Sequence, residues 1–342
     1  MYIYEGENVM QSNKIRWGVI GAGGFADKVA IPAIQRTPSC TVQALAVLDK
    51  ERARTLGKKH GVPEVYDNAE QLIASQNVDV VYICTPDEFH APYTILAAKN
   101  AKHVCCEKPM ALSAEECQQM INACNAADVK LMPAFMMRFH PSHRNIQNLI
   151  SQGELGKIVQ VRVQCSFWYP DNGNWRQYPI SGGGGALWDL GSHAIDLLRF
   201  LLRDEIREVE GAIVDTTVHA YQGNDIATCL LRFQQGTVGI VDVSFSIPHN
   251  HGVLEIYGTE GSIYGQQSIG HEVEPRAWLT QKTNCSTEIT IKGDKYAEQF
   301  EYFSQCVRDR KNPEVTGYDG MINVCILQAI ERAAQTGQRV YL

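Results

Sequence analysis

The six residues Gly21-Ala22-Gly23-Gly24-Phe25-Ala26 fit the spacing G-x-G-x-x-[GA]. They stand directly after the apolar stretch IRWGVI and before a helical pattern, DKVAIPAIQ. This strand–turn–helix junction constrains the fold more than any other feature. Gly21 permits a tight turn, Gly23 lets backbone approach a pyrophosphate, and Ala26 keeps the helix close to the sheet. Glycines after a strand can also serve a turn alone, so the next strand decides. VQALAVLD ends in Asp49, about 20 residues on, near the spacing of a carboxylate that grips ribose hydroxyls. The competing role for Asp49 is N-cap of the following helix. Together with Gly21, Gly23, Gly24 and Phe25 it favours a dinucleotide. A carboxylate there repels a 2′-phosphate, so NAD is expected over NADP, a preference that Lys50, Arg52 and Arg54 soften.

The alternation continues. The segment KERARTLGKKHG reads as a helix closed by Gly61, DVVYICTP and HVCCEKP as buried strands, and APYTILAAKNA as the helix between them. Ser113 and Glu116 read as a capping box ahead of the next helix, and KLMPAFMMRF as one more strand. Strands alternating with helices imply right-handed crossovers and a doubly wound parallel sheet over residues 14–137.

From residue 138 to 342 the pattern changes. KIVQVRVQCSF, EVEGAIVDTTV, IATCLLRF and TVGIVDVSFSI alternate with period two, and Gln234-Gln235-Gly236 makes a hairpin connection. They predict a second α/β domain on a large, mostly antiparallel sheet, open on one face. Its apolar positions, such as Val161, Val163, Leu230 and Val243, pack either on a second subunit or on the domain's own helices. A homo-oligomer, dimer or tetramer, is the expectation. A C-terminal helix, MINVCILQAIERAAQ, ends at Gly337 before a short strand, RVYL.

Composition excludes several classes. A net charge of −7 without a basic run argues against nucleic acid. No apolar run approaches the roughly 20 residues that span a bilayer. Residues 1–13 lack the basic and apolar parts of a secretory signal and read as a short extension. The 11 cysteines are odd in number, lie mostly in apolar runs and form no C-x-x-C pair. Reduced core thiols in a cytoplasm are expected, and no metal site.

Two charges are out of place. Glu107 and Lys108 follow Val104, Cys105 and Cys106 at the end of a buried strand, where charge is costly unless paired or used. Asp189 and His193, four apart on one helix, follow the glycine run SGGGG, which allows a ligand close approach. Taken alone, they suit a core histidine bonded to an aspartate. Ligands of open α/β sheets bind at the carboxyl ends of the strands, where Lys108 stands, and this favours a site.

The segments GVIGAGGFA, VYICTPDEFH, CEKPMAL, NWRQYPISGGGGALWDLGSHAIDLL and ILQAIERAAQTGQRVYL resemble the Gfo/Idh/MocA oxidoreductase family over nearly the whole chain. The resemblance implies a Rossmann domain followed by an α/β domain, with Lys108, Asp189 and His193 converging beside the nicotinamide. His193 would be the general base, Lys108 would stabilise a developing alkoxide, and Asp189 would orient substrate or His193. Glu107 would support Lys108 at the cofactor, and a cis peptide at Pro109 would suit the turn. Thr85, Pro86 and His90 match the family loop along the cofactor, with a turn and a cap as the plain alternatives. Arg138 matches a position near nicotinamide or substrate, and a surface arginine suits it as well. The pair Trp175-Arg176 matches one beside the cofactor. Trp168, Tyr169 and Trp175 would wall a sugar or aglycone, or pack on the sheet; Tyr296 fits the pattern or serves as scaffold.

The implied activity is NAD-dependent oxidation of a secondary ring hydroxyl in a sugar, cyclitol or glycoside, with C3 of a glucoside as one candidate. Two other classes share the fold: glycoside-cleaving hydrolases that recycle NAD, and NAD-sensing regulators. The first carry a Tyr-x-x-His arrangement where this chain has Trp188-Asp189 and His193. The second can lose the lysine or histidine that this chain retains.

Overall fold

The computed structural model describes residues 14–179, 183–249, 252–270, 274–281 and 285–342; the N-terminal extension and part of the glycine run lie outside them. The first sheet has six parallel strands in the order β3-β2-β1-β4-β5-β6. They are β1 Ile15–Ile20, β2 Cys40–Ala46, β3 Glu64–Tyr66, β4 Val80–Ile83, β5 His103–Cys106 and β6 Leu131–Pro133. Helices α1 Ile31–Arg36, α2 Lys50–His60, α3 Ala69–Ala74, α4 His90–Lys99 and α5 Ala114–Ala126 connect them, α1 continuing a π-helical turn at Ala26–Ala30. The strand order reverses between β1 and β4, so their carboxyl ends diverge and open the crevice where ligands of such sheets bind.

Local chemistry sets the helix ends. Gly61 takes a left-handed conformation, φ 63°, and ends α2 as its position predicts. At α5 the box is half formed. Ser113 Oγ accepts from Glu116 N at 3.1 Å, but the Glu116 carboxylate takes Leu112 N at 2.9 Å rather than the Ser113 amide. The strand expected over KLMPAFMMRF stops after three residues, because the chain turns at Ala134 into a 3-10 helix at Met136–Phe139.

The second sheet, among the described residues, has nine strands in the order β14-β13-β12-β11-β7-β10-β9-β8-β15. They are β7 Ile158–Ser166, β8 Ile206–Asp215, β9 Ile226–Phe233, β10 Val238–Ser244, β11 Val253–Gly258, β12 Gly261–Gln266, β13 Arg276–Gln281, β14 Ser286–Glu288 and β15 Val340–Tyr341. Only β7 and β10 run parallel; the other neighbours are antiparallel. Gly236, φ 93°, turns the β9–β10 hairpin. Helices α6 Pro141–Ser151, α7 Ser192–Leu202, α8 Lys295–Arg308 and α9 Gly317–Thr336 complete the chain. A Thr316–Asp319 capping box starts α9 four residues before the MINVC segment.

Val161, Val163 and Val243 are fully buried, whereas Leu230 is 41% exposed. Alternation therefore sends the three valines to the helix-covered face, and only Leu230 of the four looks out from the open one. Late segments also return to the first sheet. In α8, Phe300 packs edge-on to Trp17 and Tyr82, and Trp17 Nε1 donates to Ser304 Oγ at 3.1 Å. Truncating a buried phenylalanine such as Phe300 costs about 3–5 kcal/mol. The parallel sheet therefore depends on residues far along the chain. No helix among the described residues is long and apolar enough to cross a membrane. All 11 cysteines are free thiols.

Candidate active site

A cavity of about 910 Å³ lies at the carboxyl ends of the parallel strands and reaches the loop after β7. Its floor begins at Gly21, φ 84°. A Cβ there would meet Cys84 O, Thr85 N and Thr85 Cγ2, each at 2.8 Å, so only glycine lets β1 pass the end of β4. Gly23 and Gly24 differ. An added Cβ would find nothing nearer than Gly21 O at 3.8 Å for Gly23, and nothing within 4 Å for Gly24. Protein packing does not require their bareness, and both line the cavity with Phe25. This open cradle at the start of a helix fits a dinucleotide pyrophosphate.

Asp49 takes the N-cap role and also stands on the cavity wall. Its Oδ1 accepts from Glu51 N and Arg52 N at 3.0 Å, capping α2, and the residue also lines the cavity. Arg52 and Lys28 line the same end.

The loops after β4 and β5 are strapped together by His90. Its ring lies 2.9 Å from Pro109 O and 3.1 Å from Thr85 O. Burial pushes this imidazole down to about 4, so it is neutral and its single N–H donates to one of the two carbonyls. Thr85 and Pro86 line the cavity beside it. The Lys108–Pro109 peptide is cis. Glu107, its carboxyl raised by burial, takes the Tyr82 hydroxyl and the Lys108 amide.

At the inner end, three charges meet. Lys108 Nζ lies 2.7 Å from Asp189 Oδ1 and Arg176 Nε lies 3.2 Å from the same oxygen. Burial alone would raise the Asp189 carboxyl, but Lys108 and Arg176 outweigh it and hold the group well below the usual carboxylate range. The Arg176 guanidinium sits 4.3 Å from the centre of the Trp175 ring. Its main chain is fixed by Gly185 N donating to Arg176 O at 2.7 Å. Gly184 and Gly185 have φ near 70°, and side chains there would strike Arg176 O and Asn224. These two glycines therefore serve the approach of two backbone segments, where the sequence suggested approach of a ligand. A π-helical turn, Leu187–Gly191, then carries Asp189 to the wall.

Three expected site residues do not line the cavity. His193 is buried one turn beyond Asp189, close enough to act on its charge. Arg138 points elsewhere: it is clamped by Asp196 at 2.6 Å and Asp319 at 3.0 Å, beneath α7 and α9. Trp168 faces away, because strand alternation turns Phe167 and Tyr169 to the cavity; its ring lies 4.6 Å from His219. Tyr296, also off the cavity wall, packs edge-on to Phe25. Missed from the sequence were Asp87, Phe167 and Asn174, which line the cavity. The period-two pattern held the signal for Phe167.

A doubly wound sheet with a bare glycine cradle at its switch point, facing a Lys–Asp–Arg cluster, defines an NAD(P)-dependent oxidoreductase. Comparison narrows the class. Residues 15–135 match the model of an oxidoreductase family with an NAD-binding Rossmann fold, and residues 143–264 match the GFO/IDH/MocA C-terminal domain. The chain is 31% identical over 284 residues to trans-1,2-dihydrobenzene-1,2-diol dehydrogenase of Danio rerio, covering 82% of this chain and 78% of the other. It is 29% identical to 1,5-anhydro-D-fructose reductase of Ensifer adhaerens, with 94% and 97% covered. The crystal structure of an aldose–aldose oxidoreductase from Caulobacter crescentus, complexed with glycerol, superimposes with a TM-score of 0.89 at 27% identity, with 96% and 100% covered. The chain belongs to the Gfo/Idh/MocA family and is an oxidoreductase acting on CH–OH groups.

Proposed function

We propose that this protein oxidises a secondary ring hydroxyl of a sugar, cyclitol or glycoside, with NAD as cofactor. In this reading residues 14–137 hold the dinucleotide, and residues 138–342 shape the substrate pocket and a homo-oligomer interface. The observation that carries the proposal is the Lys108–Asp189–Arg176 cluster at the inner end of the cavity that begins at the glycine cradle. The sugar enzymes among the relatives support the substrate class.

Gly21, Gly23, Gly24 and Asp49 hold the dinucleotide, with Trp175 and Arg176 towards its nicotinamide end. When bound, the nicotinamide supplies the hydride acceptor. Lys108 spends two of its three N–H donors on Asp189, one on the carboxylate and one on the carbonyl, leaving a third for the carbinol oxygen. That donor opposes build-up of negative charge as the C–H bond breaks, a contribution of about 10²–10³ in kcat. His193 accepts the hydroxyl proton. It lies buried behind Asp189 rather than on the cavity wall, so this role requires the proton to pass beyond Asp189, and the pH profile of kcat is where it should register. Phe167, Tyr169 and Trp175 offer apolar rings to the ligand, and C3 of a glucoside is the first hydroxyl to try.

The test incubates purified protein with inositols, free sugars and glucosides, with NAD and NADP separately, and reads products by mass spectrometry. Loss of two hydrogens with NAD reduced supports the reading. Cleaved glycoside without net NADH would move the protein to the hydrolases. Tight dinucleotide binding with no turnover across the panel would favour a regulator.

A further inference from the structure

Asp87 follows Pro86 beyond the end of β4, is only 5% exposed and lines the cavity. Among the described residues its carboxylate makes no hydrogen bond, in contrast to Asp189 and Glu107 nearby. Buried polar groups nearly always have partners, and a buried carboxylate without a donor is costly. Arg176 and Lys108 attract it, while Asp189 and Glu107 repel it. Burial prevails over these and pushes its carboxyl up to about 7. Gly183 packs against it from outside the cavity lining: a Cβ added there would strike Leu112 Cδ2 at 2.6 Å and lie 3.5 Å from Asp87 Oδ2.

We propose that Asp87 is a ligand-binding carboxylate that accepts hydrogen bonds from hydroxyls of a polyol ring in the cavity. Its two oxygens suit a pair of neighbouring hydroxyls, and a hydroxyl donor supplies the partner that the described residues do not. Two polyols enter such a site, the substrate ring and the ribose of the dinucleotide. The proximity of Arg176, Lys108 and Asp189 favours the substrate ring, an assignment that rests on the polyol reading above.

The experiment compares wild type with Asp87→Ala and Asp87→Asn. NAD affinity is measured by calorimetry without substrate, and kcat/KM is measured for the polyol identified in the panel and for its deoxy analogues. The expected result is NAD affinity within threefold of wild type and a loss of kcat/KM of about 10–100-fold in Asp87→Ala. The deoxy analogue lacking the contacted hydroxyl should lose a similar factor in wild type and nothing further in the variant. A tenfold loss of NAD affinity instead would keep the hydroxyl acceptor and assign it to the ribose. If both quantities stay at wild-type values, Asp87 binds no ligand hydroxyl and the proposal falls. Asp87→Asn, nearly isosteric, serves if the alanine variant does not fold, and wild-type behaviour in it also overturns the proposal. The calorimetric arm needs no turnover. Should the panel yield no turnover, the dehydrogenase reading fails separately, and calorimetry of the panel polyols on the NAD complex decides Asp87: equal affinities in wild type and variant overturn the proposal.

Discussion

Lys108 binds Asp189 twice: its Nζ lies 2.7 Å from the carboxylate Oδ1 and 2.9 Å from the main-chain oxygen of the same residue. The end of a strand in the first sheet is thereby tied to the start of a helix 81 residues later. The ammonium is held in place before any ligand arrives, so it need not reorganise as charge develops. Lys108→Ala should lower kcat by about 10²–10³ and leave NAD affinity, measured by calorimetry, close to wild type. Retention of most of the turnover would remove Lys108 from the mechanism.

Asp189 links stability to acid. Its carboxyl is depressed in the folded state, so its stabilisation is fully present above the unfolded value near 3.9 and is lost as pH falls through the depressed value. Asp189→Asn leaves Lys108 and Arg176 without the charge between them. A loss of about 3 kcal/mol at pH 7 is expected from urea unfolding. An unfolding midpoint equal to wild type would mean that solvent already compensates the two cations.

Much of this site was legible because its determinants are local. The glycine turn, the carboxylate at the end of β2 and the charges after β5 each depend on residues within one strand–turn–helix unit. Asp87 was not legible. It reads as an ordinary turn residue after Pro86, and its surroundings, with Gly183 close against it and the charge of Arg176 acting on it, come from beyond β7. Arg138 has the same difficulty, since its partners stand 58 and 181 positions away. The strands from Val253 to Glu288 and helices α6 and α8 carried patterns that the sequence reading left unassigned. That omission hid how α8 closes a face of the first sheet.

Asp87 gives stability a pH dependence of the opposite sign. Its folded carboxyl is raised to about 7 by burial, so between the unfolded value near 3.9 and about 7 the native state holds a proton that the unfolded chain has released. Stability should therefore fall as pH rises through this window, by at most about 1.4 kcal/mol per pH unit from this group. Asp87→Asn should flatten the Tm profile between pH 5 and 7. A profile parallel to wild type would count against the raised value.

Arg138 separates scaffold from site. Its guanidinium bonds Asp196 through Nε and Nη2 and reaches Asp319 with Nη2, joining the segment after β6 to α7 and α9. Removing one member of a buried ion cluster strands the others at a cost of about 3–5 kcal/mol. Arg138→Ala should lower Tm sharply, while the protein that remains folded keeps its NAD affinity. A loss of NAD affinity at unchanged Tm would restore the cofactor role that family resemblance implied.

Asp49 allows charge to be tested apart from structure. The carboxylate caps α2 through the amides of Glu51 and Arg52 while lining the dinucleotide end of the cavity. Serine is also a good N-cap, so Asp49→Ser keeps the capping acceptor and removes only the negative charge. Tm should move little. If the carboxylate grips the ribose hydroxyls of NAD, affinity for NAD should weaken by about tenfold, the size of a charged hydrogen bond lost. NADP should gain, because the repulsion of its 2′-phosphate disappears while Arg52 and Lys28 stay at that end of the cavity. Calorimetry with both dinucleotides gives the ratio directly. A shift towards NADP assigns the cofactor choice to Asp49, whereas an unchanged ratio with unchanged Tm leaves it a helix cap alone.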